Sequence, residues 1–145
     1  MRKQMIGHVN LTTGEIRKIP IPDIMRRKYI GGRGIDMYLV YNYAKPGCDP
    51  LGPDNAISIS AGPLGGTSPQ SSRVHTAAKS PLTGFIGSTS MGGHFAPELR
   101  YAGFDHILVT GASEKPVYLW GNDGNIEIRD ASAFWGHDTI ETQQI

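Results

Sequence analysis

Residues 105–128 read DHILVTGASEKPVYLWGNDGNIEI, and the fold class turns on them. Ile107–Thr110, Val117–Trp120 and Ile126–Ile128 are short apolar runs, too brief for helices and bounded by Gly, Pro, Asn and Asp. Between the last two lies Asn122-Asp123-Gly124, and an Asp-Gly step between apolar runs is a strong hairpin signal because both positions tolerate positive φ. The stretch predicts a β-rich domain.

Upstream the pattern continues. Ile6–Leu11 and Glu15–Ile19 read as a hairpin turning at Thr13-Gly14. Asp23 is placed to cap a helix to Tyr29, whose last turns carry Arg26, Arg27 and Lys28 and which Gly31 stops. Ile35, Tyr38 and Leu39 share one face of a second helix running to Ala44. Residues 45–55 hold three prolines and two glycines and form a loop. Ala56–Ala61 alternates Ile57 and Ile59 with Ser58 and Ser60, which predicts a strand with the isoleucines on its apolar face. Arg73–Ala78 and Gly84–Ser88 read as strands, Gly93–Tyr101 as a helix ended by Gly103, and His137–Ile145 as the start of a helix capped by Asp138. The expectation is an α+β fold, predominantly a β-sheet base with a few short helices, in a single domain over 1–145. The helical pattern stops at Ile145, which predicts a domain that is C-terminally incomplete.

Composition narrows the function classes. Of 145 residues 19 are Gly, about twice the ordinary share of roughly 7%. Fourteen Lys and Arg against 13 Asp and Glu leave a net charge of +1, which removes the general electrostatic argument for nucleic acid or an anionic membrane. With Cys48 alone, the chain can build no disulfide framework, no Cys-rich zinc site and no iron–sulfur cluster ligated wholly by itself. No apolar run reaches the length of a membrane span and no charged n-region leads into an apolar h-region of signal-peptide length, so a cytoplasmic protein is predicted.

Ser60–Gly103 contains eight glycines and eleven Ser or Thr but a single acidic residue, Glu98, against Arg73, Lys79 and Arg100. Small side chains let a ligand approach the backbone, and few carboxylates are present to repel phosphate, so a phosphorylated cofactor suits the segment. Glycines and hydroxyls also build ordinary turns, and composition leaves both readings open. Gly92-Gly93, leading into a helix, is where free amides can meet an anion. Gly31-Gly32-Arg33-Gly34 is neither a P-loop nor a dinucleotide fingerprint and reads as a tight interhelical turn. His8, His75, His94, His106 and His137 show no metal-ligand spacing, and no serine sits in a nucleophile elbow. Trp120 and Trp135 read as packing in the core or against the C-terminal segment, and Cys48 as an incidental loop residue or an exposed thiol.

Six words occur in order: Val9-Asn10-Leu11-Thr12-Thr13-Gly14, Tyr29-Ile30-Gly31-Gly32-Arg33-Gly34, Asp49-Pro50-Leu51-Gly52-Pro53, Ala61-Gly62-Pro63-Leu64, Lys79-Ser80-Pro81-Leu82-Thr83-Gly84-Phe85 and Pro97-Glu98-Leu99-Arg100-Tyr101-Ala102-Gly103-Phe104-Asp105. The series resembles the N-terminal domain of the tungsten-containing aldehyde:ferredoxin oxidoreductases, over about Gly7 to Ala131. The resemblance implies a β-rich base on which a tungsten bis-pterin cofactor lies, with molybdenum as the alternative metal. It implies oxidation of aldehydes to carboxylic acids, with electrons passing through a 4Fe-4S cluster to ferredoxin or another electron-transfer protein.

Carried over by position, Arg73 matches the arginine between pterin and cluster. Ser90 and Gly92 match contacts to the pterin phosphates, Ser90 also offering a backbone carbonyl to the Mg²⁺ that bridges them, and Gly93 is implicated by adjacency. The family commonly has Asn at the position of Ser90, an exchange that keeps the carbonyl and loses the side-chain amide. Ser90-Met91-Gly92-Gly93-His94 also resembles tungsten subunits that reduce aromatic acyl-thioesters. The family's cluster ligands, second phosphate-binding segment and substrate pocket lie beyond the matched residues, so further domains or a companion subunit are expected to supply them. Catalytic residues are expected there and none in this chain. A non-catalytic pterin- or phosphate-binding module and an inactive fragment are the alternatives.

Overall fold

The computed structural model describes residues 3–145. Its elements are β1 (Met5–Asn10), β2 (Ile16–Pro20), α1 (Asp23–Tyr29), α2 (Arg33–Tyr43), β3 (Ala56–Ala61), β4 (Val74–Lys79), β5 (Ile86–Met91), α3 (Phe95–Tyr101), β6 (His106–Thr110), β7 (Val117–Asn122), β8 (Asn125–Asp130) and α4 (Thr139–Thr142). Six strands form one mixed sheet in the order β2-β1-β6-β3-β4-β5, and β7-β8 form a separate hairpin. All pairings in the sheet are antiparallel except that of β1 with β6.

Both faces of the sheet are covered, and strand alternation divides the core in two. Ile6, Ala56 and Leu108 point to one face and pack with Ile21 and with Ile35 and Leu39 of α2. Val9, Ala61, Val74 and Ile107 point to the other and pack with Ala96 and Leu99 of α3, Phe104 and Ile126 of β8. The hairpin is seated where two glycines meet: a Cβ on Gly103, at φ +102°, would lie 2.9 Å from the Gly124 Cα, so only glycine permits the approach.

The β7–β8 turn has Asp123 at φ 47° and Gly124 at φ 77°, the two positive φ values of the predicted hairpin. Asp138 accepts from Ile140 and Glu141 amides in a full capping box, as its position predicts. Asp23 does not cap α1: it is the first helical residue, and Pro22 precedes it without a side-chain cap bond. The strand predicted at Gly84–Ser88 starts later, at Ile86, because Gly84 at φ +72° closes a turn in which its amide donates to the Ser80 carbonyl. The tryptophans are not core residues, since Trp120 is 47% and Trp135 75% exposed. Cys48 is buried.

The largest departure concerns β3. Ser58 and Ser60 are fully buried and Ile57 is 42% exposed, so of the two isoleucines predicted on the apolar face only Ile59 packs against the core. Alternation marks two faces but cannot say which is more deeply covered when helices lie on both, and here the serines face a buried carboxylate.

Candidate functional site

Strands β4 and β5 build the corner on which the four expected cofactor residues lie. The ladder pairs Val74 with Met91 and His75 with Ser90. Arg73, just before β4, and Gly92-Gly93, just after β5, therefore emerge at the same end of the ladder, beside Ser90. Residues 19 positions apart in sequence are brought together by antiparallel pairing, and all four are exposed.

Each is left open by the chain. Arg73 has no hydrogen-bond or ion-pair partner among the described residues, whereas the segment's other two cations are engaged. Lys79 donates to the Cys48 carbonyl, and Arg100 donates to the carbonyls of Pro63 and Gly65 at 2.7 and 2.8 Å. Gly93, at φ +109°, needs glycine for its backbone conformation. Gly92 has no such need, and a Cβ there would meet nothing within 4 Å, so its backbone lies bare to whatever approaches. β5 is the edge strand, and alternate backbone carbonyls on an edge point away from the partner strand. Helix α3 begins two residues past Gly93 and has only seven residues, so the amides of the loop, rather than a macrodipole, are what this corner offers an anion.

These features fit a phosphorylated, polyanionic group: one unpaired guanidinium, serine hydroxyls, an open glycine backbone, and no carboxylate on Arg73, Ser90, Gly92 or Gly93 or their chain neighbours. Among the described residues no group of three or more His, Cys, Asp or Glu could hold a metal ion. A cation bridging phosphates at Ser90 would take its remaining ligands from the phosphates and from other polypeptide. A separate cleft of about 380 Å³ between α3 and the β7–β8 hairpin, lined by Phe95, Leu99, Leu119 and Ile126 among others, includes none of the four.

Directly inside the corner lies a polar cluster that sequence reasoning did not find. Asp36, in the first turn of α2, is fully buried and its carboxylate takes four hydrogen bonds. Oδ1 accepts from Ser58 Oγ at 2.6 Å and His106 Nδ1 at 2.9 Å, and Oδ2 from Ser60 Oγ at 2.5 Å and His75 Nδ1 at 2.7 Å. Burial pushes this carboxyl upward, but the hydrogen bond and charge of His106 and the bonds from Ser58 and Ser60 outweigh it, holding Asp36 below its ordinary 3.8. An ionised carboxylate only accepts, so both imidazoles donate from Nδ1. His75 Nε2 is then left buried with no partner in the described structure. One helix residue thus clasps β3, β4 and β6.

The family of aldehyde ferredoxin oxidoreductase N-terminal domains matches residues 6–145. The tungsten-containing aldehyde ferredoxin oxidoreductase of Pyrococcus furiosus is 47% identical over 136 residues, covering 93% of this chain and 22% of its own length. The protein of the same description from Thermococcus kodakarensis is 46% identical over the same shares. Among solved structures, the active-site complex BamBC of benzoyl coenzyme A reductase with 1,5-dienoyl-CoA superposes with a TM-score of 0.94 at 35% identity. It covers 99% of this chain and 23% of that one. The chain spans about a fifth of the length of the curated relatives it matches.

Proposed function

The chain belongs to the family of aldehyde ferredoxin oxidoreductase N-terminal domains, and on that premise we propose that it is the cofactor-cradling part of a tungsten bis-pterin oxidoreductase. The reaction proposed is oxidation of an aldehyde to its carboxylic acid with ferredoxin as electron acceptor. When bound, the tungsten-pterin group supplies the two-electron redox chemistry, and the residues of this chain hold and orient it.

Arg73 offers a guanidinium that no described residue engages, and it would offset negative charge between pterin and a 4Fe-4S cluster ligated outside this chain. Ser90, Gly92 and Gly93 would hold the pterin phosphates against bare backbone, and the Ser90 carbonyl would be offered to a Mg²⁺. The observation that carries this reading is the corner itself. An unpaired arginine and an open Gly-Gly backbone lie at one end of one ladder in a chain 47% identical to a tungsten enzyme. Co-expression with the polypeptide carrying the cluster ligands is expected to yield a complex containing tungsten and pterin. An assembled, soluble complex devoid of both would contradict it.

Reduction of an aromatic acyl-thioester is the second reading of the substrate. It is favoured by the 0.94 TM-score to the BamBC complex and by Ser90-Met91-Gly92-Gly93-His94. Turnover assays of the assembled complex with aldehyde and with acyl-thioester separate the two.

A further inference from the structure

The Asp36 clasp has an asymmetry that the fold alone does not require. Its two imidazoles are bound alike, each through Nδ1 to one carboxylate oxygen and each at least nine-tenths buried. Their strands differ. His106 lies on β6, in mid-sheet and held on both sides by β1 and β3. His75 lies on β4, whose outer neighbour β5 is the exposed edge strand and pairs with no other strand. Among the described residues His75 is the one β4 side chain hydrogen-bonded to α2. Arg73 stands two residues before it and Ser90 directly across the ladder. Its Nε2 is buried with no partner among the described residues.

We propose that His75, held by Asp36, is a positioning residue for the cofactor corner: it fixes β4 against α2 and thereby sets where Arg73 and Ser90 stand. The inference rests on the tungsten-pterin reading above. It assigns different consequences to two chemically matched histidines, which a purely structural cluster would not.

The test compares His75→Gln with His106→Gln in the assembled holoenzyme, measuring melting midpoint, tungsten and pterin per polypeptide, and the tungsten EPR signal. Both variants are expected to lower the midpoint similarly. His75→Gln is expected to weaken cofactor retention about tenfold and shift the EPR signal, the scale seen when groups orienting a metal's ligands are removed, while His106→Gln retains both. Loss of cofactor in the same proportion from both variants, or wild-type content in His75→Gln, would overturn the proposal.

Should His75→Gln fail to accumulate, a milder pair asks the same question. Ser60 donates to Oδ2, the oxygen that holds His75, and Ser58 to Oδ1, the oxygen that holds His106. Ser60→Ala is expected to lower cofactor content and Ser58→Ala to leave it, and equal effects would overturn the inference. A wild-type complex lacking tungsten and pterin would refute the underlying reading. Wild-type complex containing them beside an unaffected His75→Gln refutes only the positioning role.

Discussion

Two polar regions lie on adjoining parts of the same sheet and differ in how they are satisfied. The Asp36 clasp is sealed: a fully buried carboxylate, four donors, and partners drawn from three strands. The corner at Arg73, Ser90, Gly92 and Gly93 is open, exposed throughout, with an arginine that no described residue engages. Polar groups satisfied inside the chain hold the fold, and polar groups left unsatisfied at a shaped surface are available to a ligand. The contrast predicts that substitutions in the first region act first on stability, with His75 and Ser60 reaching the cofactor only through the position of β4, and that those in the second act chiefly on binding.

The largest expected effect is therefore at Asp36. Asp36→Asn puts an amide where four donors converge, and breaking one member of a buried charged network costs about 3–5 kcal/mol. Thermal or denaturant unfolding of the purified protein measures it, and a loss under 1 kcal/mol would show the clasp to be dispensable. The same group sets an acid limit. Because its folded value lies below the ordinary 3.8, its stabilisation is fully present above that pH and disappears as pH falls through the lower folded value. The stability gap between wild type and Asp36→Asn is expected to be present at about pH 4 and above. Below that it narrows. A gap that instead narrows between pH 7 and 5 would assign the effect to another group.

Smaller effects are expected at the corner. Gly93→Ala forces a side chain onto φ +109° and is expected to cost about 1–2 kcal/mol. Gly92→Ala meets no neighbouring atom and is expected to change stability by under about 0.5 kcal/mol while reducing pterin content. If both glycine variants are equally stable, the backbone argument at Gly93 is wrong.

Legibility in the sequence follows the same division. The β7–β8 hairpin was readable because its turn carries its own conformational signal in Asp123-Gly124, and α2 because its apolar positions recur at helical spacing. The clasp was not. Asp36 meets Ser58, His75 and His106 across separations of 22, 39 and 70 residues, and no local pattern distinguishes a helix Asp that faces solvent from one that faces two histidines. The signal that could have raised it was the pair of alternating serines in β3, opposite the isoleucines on the strand. The corner residues were reached through resemblance and composition together, and their proximity emerged only from the β4–β5 register. The exposed Trp120 was misread because aromatic area suggests core, whereas it lies under the Arg129 guanidinium, 4.6 Å from its ring centroid.

In the proposed division of the molecule the open corner binds and the sealed clasp supports. Arg73→Ala in the assembled complex tests it most directly, by melting midpoint and tungsten and pterin content measured on the same preparation. Stability within about 0.5 kcal/mol of wild type is expected, together with loss of cofactor or of electron transfer to the acceptor. Full cofactor content and unchanged electron transfer in that variant would contradict it.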